Sequence, residues 1–353
     1  MTTETRTETT AEQERRNRVR GCLVGGAIGD ALGWPVEFQH LERILDGFGP
    51  EGVTSLRRPR GELAEVTDDT QMTLFTAEGL LLAGEGAGKD VLGSVHAAYL
   101  RWLRTQRLAG PQGDGQSGLA AEAWLYASRA PGNACMSGLS DHPQLPAGVP
   151  VADGLHGPVN RDSKGCGTVM RSAPFGLLGL GAERAFRLAA DCAQLTHGHP
   201  TGYLAAGAFA ALVDRLAAGA APDAAVAETV AQTAGHAGSE ETVAALDRAV
   251  RLAAEAQPGF DTVERVGLGW IAEECLAIAV HCLLASGGDT RRALTLSVTH
   301  SGDSDSTGAV CGNLLGAAYG EAALPADWSD HIEGRATLLR IADELATRGG
   351  RLA

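Results

Sequence analysis

Glycine recurs every four residues at Gly21, Gly25, Gly29 and Gly33, and again at Gly308, Gly312, Gly316 and Gly320. Four-residue spacing stays on one face of an α-helix, where each glycine costs about 1 kcal/mol relative to alanine. Two such stripes imply two helices whose backbones approach more closely than side chains would permit, at the centre of the domain. If these helices pack on each other, or on a common neighbour, Asp30 and Glu37 come close to the turn that carries Asp303 and Asp305.

The rest of the chain agrees with a helical reading. From Val19 onward apolar residues recur at three and four, and Ala and Leu dominate over the Val, Ile and Thr expected of strands. This periodicity predicts helices over roughly 18–33, 70–84, 90–106, 117–129, 168–180, 182–195, 201–218, 222–234, 240–256, 262–286, 289–298, 306–320 and 331–348. Residues 34–66 and 130–167 lose the period and are punctuated by Pro and Gly, which predicts two long loops. The fold class is all-α, in one large domain over 18–349. Residues 1–17 are polar, rich in Thr and Glu, and read as a disordered tail.

With 353 residues and 44% hydrophobic content, the chain can bury a sizeable core. A formal charge of −14 excludes a general grip on nucleic-acid phosphates, so a small molecule, a cation or a modified protein is the expected partner. The seven cysteines form no CxxC pair, and most fall in apolar helical stretches, as reduced buried thiols do. No signal-peptide pattern and no eighteen-residue apolar run is present, so a cytoplasmic protein is expected.

Two acidic clusters carry the chemistry. Thr67-Asp68-Asp69-Thr70 and Ser301-Gly302-Asp303-Ser304-Asp305-Ser306-Thr307-Gly308 each open an apolar helical run. Either could be a capped helix start, with Thr or Asp accepting from free N–H groups. Capping needs one such side chain, however, and both clusters hold more. Carboxylate and hydroxyl oxygens suit hard divalent cations such as Mg²⁺ or Mn²⁺. The second cluster imitates an EF-hand opening, but the loop's closing Glu would fall at Leu314, so that reading fails. Asp68, Asp69, Asp303 and Asp305 together bring four negative charges, enough to offset two divalent ions against two helix dipoles.

Other residues admit two readings each. Glu37, in Trp34-Pro35-Val36-Glu37-Phe38, is either a surface glutamate or a desolvated carboxyl suited to proton transfer. His197 and His199 could cap a helix, contact substrate or, less in keeping with their spacing, bind metal. Residues 163–171, Ser-Lys-Gly-Cys-Gly-Thr-Val-Met-Arg, form either a tight turn or a loop whose N–H groups cradle phosphate, and Cys166 lacks a His–Asn frame that would make it a nucleophile.

As an ordered set, Gly25 to Gly33 with Glu37, Thr67 to Thr70, the 165–171 loop, Thr196-His197 and Ser301 to Gly308 resemble the ADP-ribosylglycohydrolase family over nearly the whole chain after residue 20. The resemblance implies an all-α orthogonal domain with a cleft for two Mg²⁺ or Mn²⁺ ions. By position, Thr67, Asp68, Asp69, Asp303, Asp305 and Ser306 match the metal ligands, Ser306 standing where some relatives carry Thr. Glu37 matches a glutamate implicated in catalysis, and Asp303 is expected to share in it. Ser163, Gly165, Gly167 and His197 match substrate-contacting positions. The activity implied is hydrolysis of the C1″ bond between ADP-ribose and an acceptor, by a monomer acting on ADP-ribose or an ADP-ribosylated protein. The acceptor is left open among arginine, serine, a nucleic-acid base and a small molecule. Hydrolysis of a free nucleotide, or ADP-ribose binding without catalysis, are the alternatives on the same fold.

Overall fold

A computed structural model of the chain describes residues 9–58, 61–83, 90–112, 117–255 and 257–348. In these residues the chain forms α1 (Thr10–Gly33), α2 (Leu41–Phe48), α3 (Asp68–Ala83), α4 (Val91–Thr105), α5 (Asn133–Asp141), α6 (Ala173–Gly176), α7 (Ala182–Ala193), α8 (Pro200–Ala217), α9 (Pro222–Thr233), α10 (Glu240–Ala253), α11 (Phe260–Val266), α12 (Ala272–Ala285), α13 (Thr290–Val298), α14 (Ser304–Tyr319), α15 (Ala326–Ser329) and α16 (Arg335–Arg348). No β-strand forms among the described residues, only the isolated bridges Ala64–Ile332 and Gly165–Ile271. None of the described helices is long and apolar enough to cross a membrane.

The two glycine stripes face each other. A Cβ at Gly25 would lie 2.2 Å from Gly312 O, one at Gly29 1.8 Å from Gly308 O, and one at Gly316 1.9 Å from Gly21 O. The register runs in opposite directions, so α1 and α14 are antiparallel with backbone against backbone, and they form the most extensively paired helices of the domain. Gly320 departs from the stripe: it closes α14 at φ +84°, where its N–H bonds to Gly316 O at 2.8 Å. Around this pair one continuous core is built from Ala, Leu, Val and a few large residues, including Trp102, Tyr99, Phe75 and Phe209.

Several boundaries differ from the sequence reading. α1 begins at Thr10, so residues 10–17 are helical and not part of a disordered tail; residues 1–8 lie outside the described set. The early start has a local cause, a capping box between Thr9 and Glu12, and a tertiary one, the Arg15 guanidinium donating to Leu177 O at 2.7 Å. Residues 117–129 form two 3₁₀ turns instead of a helix, because Gly118 sits at φ +65° and Leu119 N–H is taken by Glu78 Oε1 at 2.8 Å. The 168–180 helix reduces to α6, where Pro174 lacks an N–H and the Ser172 hydroxyl turns back onto Thr168 O. The 262–286 helix splits at Gly267–Gly269, Gly269 having φ +82°. Conversely, the predicted loops contain α2 and α5.

Candidate active site

The antiparallel α1–α14 pairing decides where the acids go. At the end of α1 a 3₁₀ turn over Trp34–Val36 delivers Glu37, whose N–H bonds to Gly33 O at 3.0 Å. Phe38 follows at φ +64°, a conformation that a bulky residue adopts only when held, and its N–H is fixed on Gly302 O at 3.0 Å. Gly302 itself, at φ +132°, packs against Leu268, and Asp303 N–H bonds to Leu268 O at 2.9 Å. The Glu37 arm and the Asp303 turn are therefore clasped by backbone bonds.

The start of α3 is anchored by Asp30 of α1. Fully buried, Asp30 accepts from Thr67 N–H at 3.0 Å, Thr70 N–H at 3.2 Å and the Thr70 hydroxyl at 2.5 Å. With the helix end satisfied from another element, Asp68 and Asp69 are released to line a cleft of about 380 Å³. Thr67 is not among the cleft-lining residues; it sits behind them, its hydroxyl accepting from Asp69 N–H at 3.3 Å. The cap reading and the ligand reading both hold at Asp303, where Oδ1 accepts from Ser306 N–H at the start of α14 while Oδ2 faces Cys166 Sγ at 2.8 Å.

Glu37, Asp68, Asp69, Asp303, Asp305, Ser306, Ser163, Gly165, Gly167 and His197 all line this one cleft. Among the described residues the tightest donor group is Glu37, Asp303 and Asp305, with oxygens all within 4.8 Å of one another. Asp69 Oδ2 is buried with no hydrogen-bond partner. A buried carboxylate oxygen without a donor is costly unless a cation or a proton meets it. The residues present thus fit a hard divalent cation.

The glycine-rich loop forms the opposite wall. Its Cys166 N–H is committed to Trp270 O at 3.2 Å and its Lys164 O to Ala272 N–H at 2.8 Å, so the loop is docked on the start of α12. Lys164 points at Glu241 and Glu273, at 2.6 and 2.7 Å, and not at the cleft acids. A Cβ at Gly167 would lie 2.9 Å from Cys135 Sγ and 3.2 Å from His197 Cε1, which explains glycine there by space. His197 is buried, and burial, then the Arg171 charge, lowers it to about 3, so the ring is neutral. Arg171 donates to the Thr196 hydroxyl at 2.7 Å, and that hydroxyl lies 2.7 Å from His197 Nδ1. Thr196 can then donate to Nδ1, which places the ring proton on Nε2. His199, by contrast, caps α8, accepting from Thr201 N–H at 3.2 Å.

The packed acids favour protons. Burial first, then the charges of Asp303, Asp68 and Asp30, push Glu37 up to about 8, and burial raises Asp30 to about 6 against its hydrogen bonds. Asp68, Asp69 and Asp305 are held well above the usual carboxylate range by burial and then by one another and their neighbours. An acid with a raised folded-state pKa stabilises the fold fully below its unfolded pKa and loses that contribution as pH rises through the folded value. The metal-free protein should therefore lose thermal stability between about pH 4 and pH 8. Millimolar Mg²⁺ or Mn²⁺ should restore several degrees of Tm, most at the alkaline end, where it replaces the departed protons. Scanning fluorimetry with chelator and with each ion checks this; a cation effect independent of pH would contradict it.

Sequence reasoning missed the aromatic lip. Trp270 lines the cleft and stacks on Phe38, with ring centroids 5.1 Å apart, but it had been placed inside a continuous helix. The Gly267-Leu268-Gly269 spacing was the available signal for the break. Asn133 and Cys135 of α5 were also missed, in a segment with no helical period.

An all-helical fold around an acidic, glycine-walled cleft is shared with known proteins. The family model for ADP-ribosylglycohydrolase matches residues 11–352. The ADP-ribosyl-[dinitrogen reductase] glycohydrolase of Rhodospirillum rubrum is 25% identical over 322 residues, covering 90% of each chain. An uncharacterized protein of Archaeoglobus fulgidus is 28% identical over 344 residues, covering 94% of this chain and 95% of its own. Among solved structures, an ADP-ribosylglycohydrolase-related protein complex superposes with a TM-score of 0.63 and 27% identity, over 96% of this chain and 99% of its own. The chain belongs to the ADP-ribosylglycohydrolase family.

Proposed function

We propose that this protein is a divalent-cation-dependent ADP-ribosyl hydrolase that cleaves the bond between C1″ of the distal ribose and an acceptor atom. The observation that carries the reading is the convergence of Glu37 with Asp68, Asp69, Asp303 and Asp305 in one cleft, where Asp69 keeps an unpartnered buried oxygen. Asp68, Asp69, Asp303, Asp305 and Ser306 would hold two Mg²⁺ or Mn²⁺ ions, with Thr67 reaching in from behind. Bound there, the ions supply positive charge that fixes the ribose hydroxyls and orients a water.

The chain's own residues do the remainder. Glu37, protonated near neutral pH when no cation is bound, is placed to exchange a proton with the leaving acceptor atom or the attacking water. Positive charge developing on the sugar is stabilised by the surrounding carboxylates. Neutral His197 presents an Nε2–H donor, and Ser163, Gly165 and Gly167 form the wall against which the diphosphate would lie. Beyond Asn133, Ala134 and Ser163 the cleft adjoins a polar groove of about 760 Å³ containing Asn160 and Arg161, with room for the rest of an ADP-ribose.

The test is a release assay on substrates that differ only in the ADP-ribose linkage, with Mg²⁺ and with Mn²⁺. Glu37→Gln should lower turnover by about 10²- to 10⁴-fold, the usual contribution of a positioned acid or base. The cation affinity of that variant should fall far less. Consumption of free ADP-ribose or nucleotides without release from any modified acceptor would redirect the assignment, and wild-type rates in Glu37→Gln would remove Glu37 from the chemistry.

A further inference from the structure

The cleft holds a sulfur donor that the hard-cation reading does not use. Cys166 is partly open to the cleft, unlike the other six cysteines, which are buried. Its Sγ lies 2.8 Å from Asp303 Oδ2 and 3.6 Å from Ser306 Oγ. Asp69, whose Oδ2 is buried and unpartnered, lines the same cleft and is near enough for its charge to act on the thiol. The orphaned oxygen is an independent sign that a ligand belongs on this side of the cleft. Sulfur changes which ligand that can be. Thiolate with carboxylate and hydroxyl oxygens is a donor set for a borderline-soft ion, and four such donors suit the tetrahedral coordination of Zn²⁺.

We infer that this site takes Zn²⁺ in place of one hard cation by recruiting Cys166 as a ligand together with Asp69, Asp303 and Ser306. The inference rests on the metal reading of the cleft and adds a thiolate to it. On binding, the S–H bond is exchanged for an S–Zn bond and the proton leaves to solvent, with no change of oxidation state. The ion would sit on Asp303, which also belongs to the Glu37–Asp305 group, so Zn²⁺ should compete with Mg²⁺ or Mn²⁺ for that residue.

Co²⁺ is the spectroscopic probe. Added to full-length metal-free protein, it should give visible d–d bands together with a near-ultraviolet sulfur-to-cobalt charge-transfer band. Cys166→Ser and Cys166→Ala should keep the d–d bands and lose the charge-transfer band. Calorimetry should show their Zn²⁺ affinity reduced at least about tenfold, a change of about 1.4 kcal/mol, with Mn²⁺ affinity changed far less. Cobalt d–d bands without a charge-transfer band in the wild type, or a band that survives both substitutions, would overturn thiol ligation while leaving the hard-metal reading intact. Absence of any cobalt binding to the wild type would overturn the metal reading, and this inference with it.

Discussion

Asp303→Asn and Asp305→Asn should each lower turnover by about 10³-fold, the equivalent of about 4 kcal/mol of transition-state stabilisation, while leaving a folded domain. Both side chains belong to the tightest oxygen group of the cleft, and Asp303 touches both the Glu37 side and the Cys166 side of it. Asparagine keeps an oxygen for the cap at Ser306 N–H, so α14 should still start where it does. What is lost is charge, and with it cation affinity. Stability should move the other way: in chelator near pH 8, removing one of several crowded carboxylates should raise Tm above that of the metal-free wild type. Loss of activity with a gain in metal-free stability separates a ligand from a structural residue. Wild-type turnover in both variants would reject the site.

Gly312→Ala should unfold the protein or cost about 4 kcal/mol or more, an effect out of proportion to one methyl group. The added Cβ would stand 1.9 Å from Gly25 O and 2.4 Å from Gly25 C, and neither atom belongs to a side chain that could rotate away. The two central helices would have to separate along their length. Gly47→Ala in α2 is the control, since a Cβ there meets nothing within 4 Å. It should be neutral or stabilise by about 0.5 to 1 kcal/mol through helix propensity alone. Urea denaturation followed by circular dichroism measures both. Equal midpoints for the two variants would show that the glycine stripes are not a close-packed interface.

The long, strongly periodic helices were legible in the sequence, because their burial pattern is written at three and four residue spacing and nothing overrides it. The stripe of glycines went further and located the pairing of α1 with α14, hence the approach of Glu37 to Asp303. Illegible were segments where tertiary bonds outrank local preference. Residues 117–129 read as helix, yet Glu78 captures Leu119 N–H from another element. Residues 168–180 read as helix, yet Thr168 is turned onto Gly202 O. At the site, the acids were found because clustered carboxylates demand a reason, while Trp270 had none to give: its placement depends on a break two residues earlier and on a hydrogen bond to the glycine loop. The helical start at Thr10 was hidden by polarity, since its supporting contacts lie far away at residues 177 and 317.

Pairing the first helix with the fourteenth also sets an order of events during synthesis. At about 5 to 20 residues per second, Gly25 leaves the ribosome roughly 15 to 60 seconds before Gly312 exists. Through that interval the bare face of α1 has no mate, and Glu37 has no Asp303 to stand beside. A nascent or prematurely ended chain would hold both glycine-faced surfaces apart and expose a sticky seam where the finished protein has its most tightly closed one. Hydrolytic competence would then arrive last and at once, making catalysis a report on completed translation.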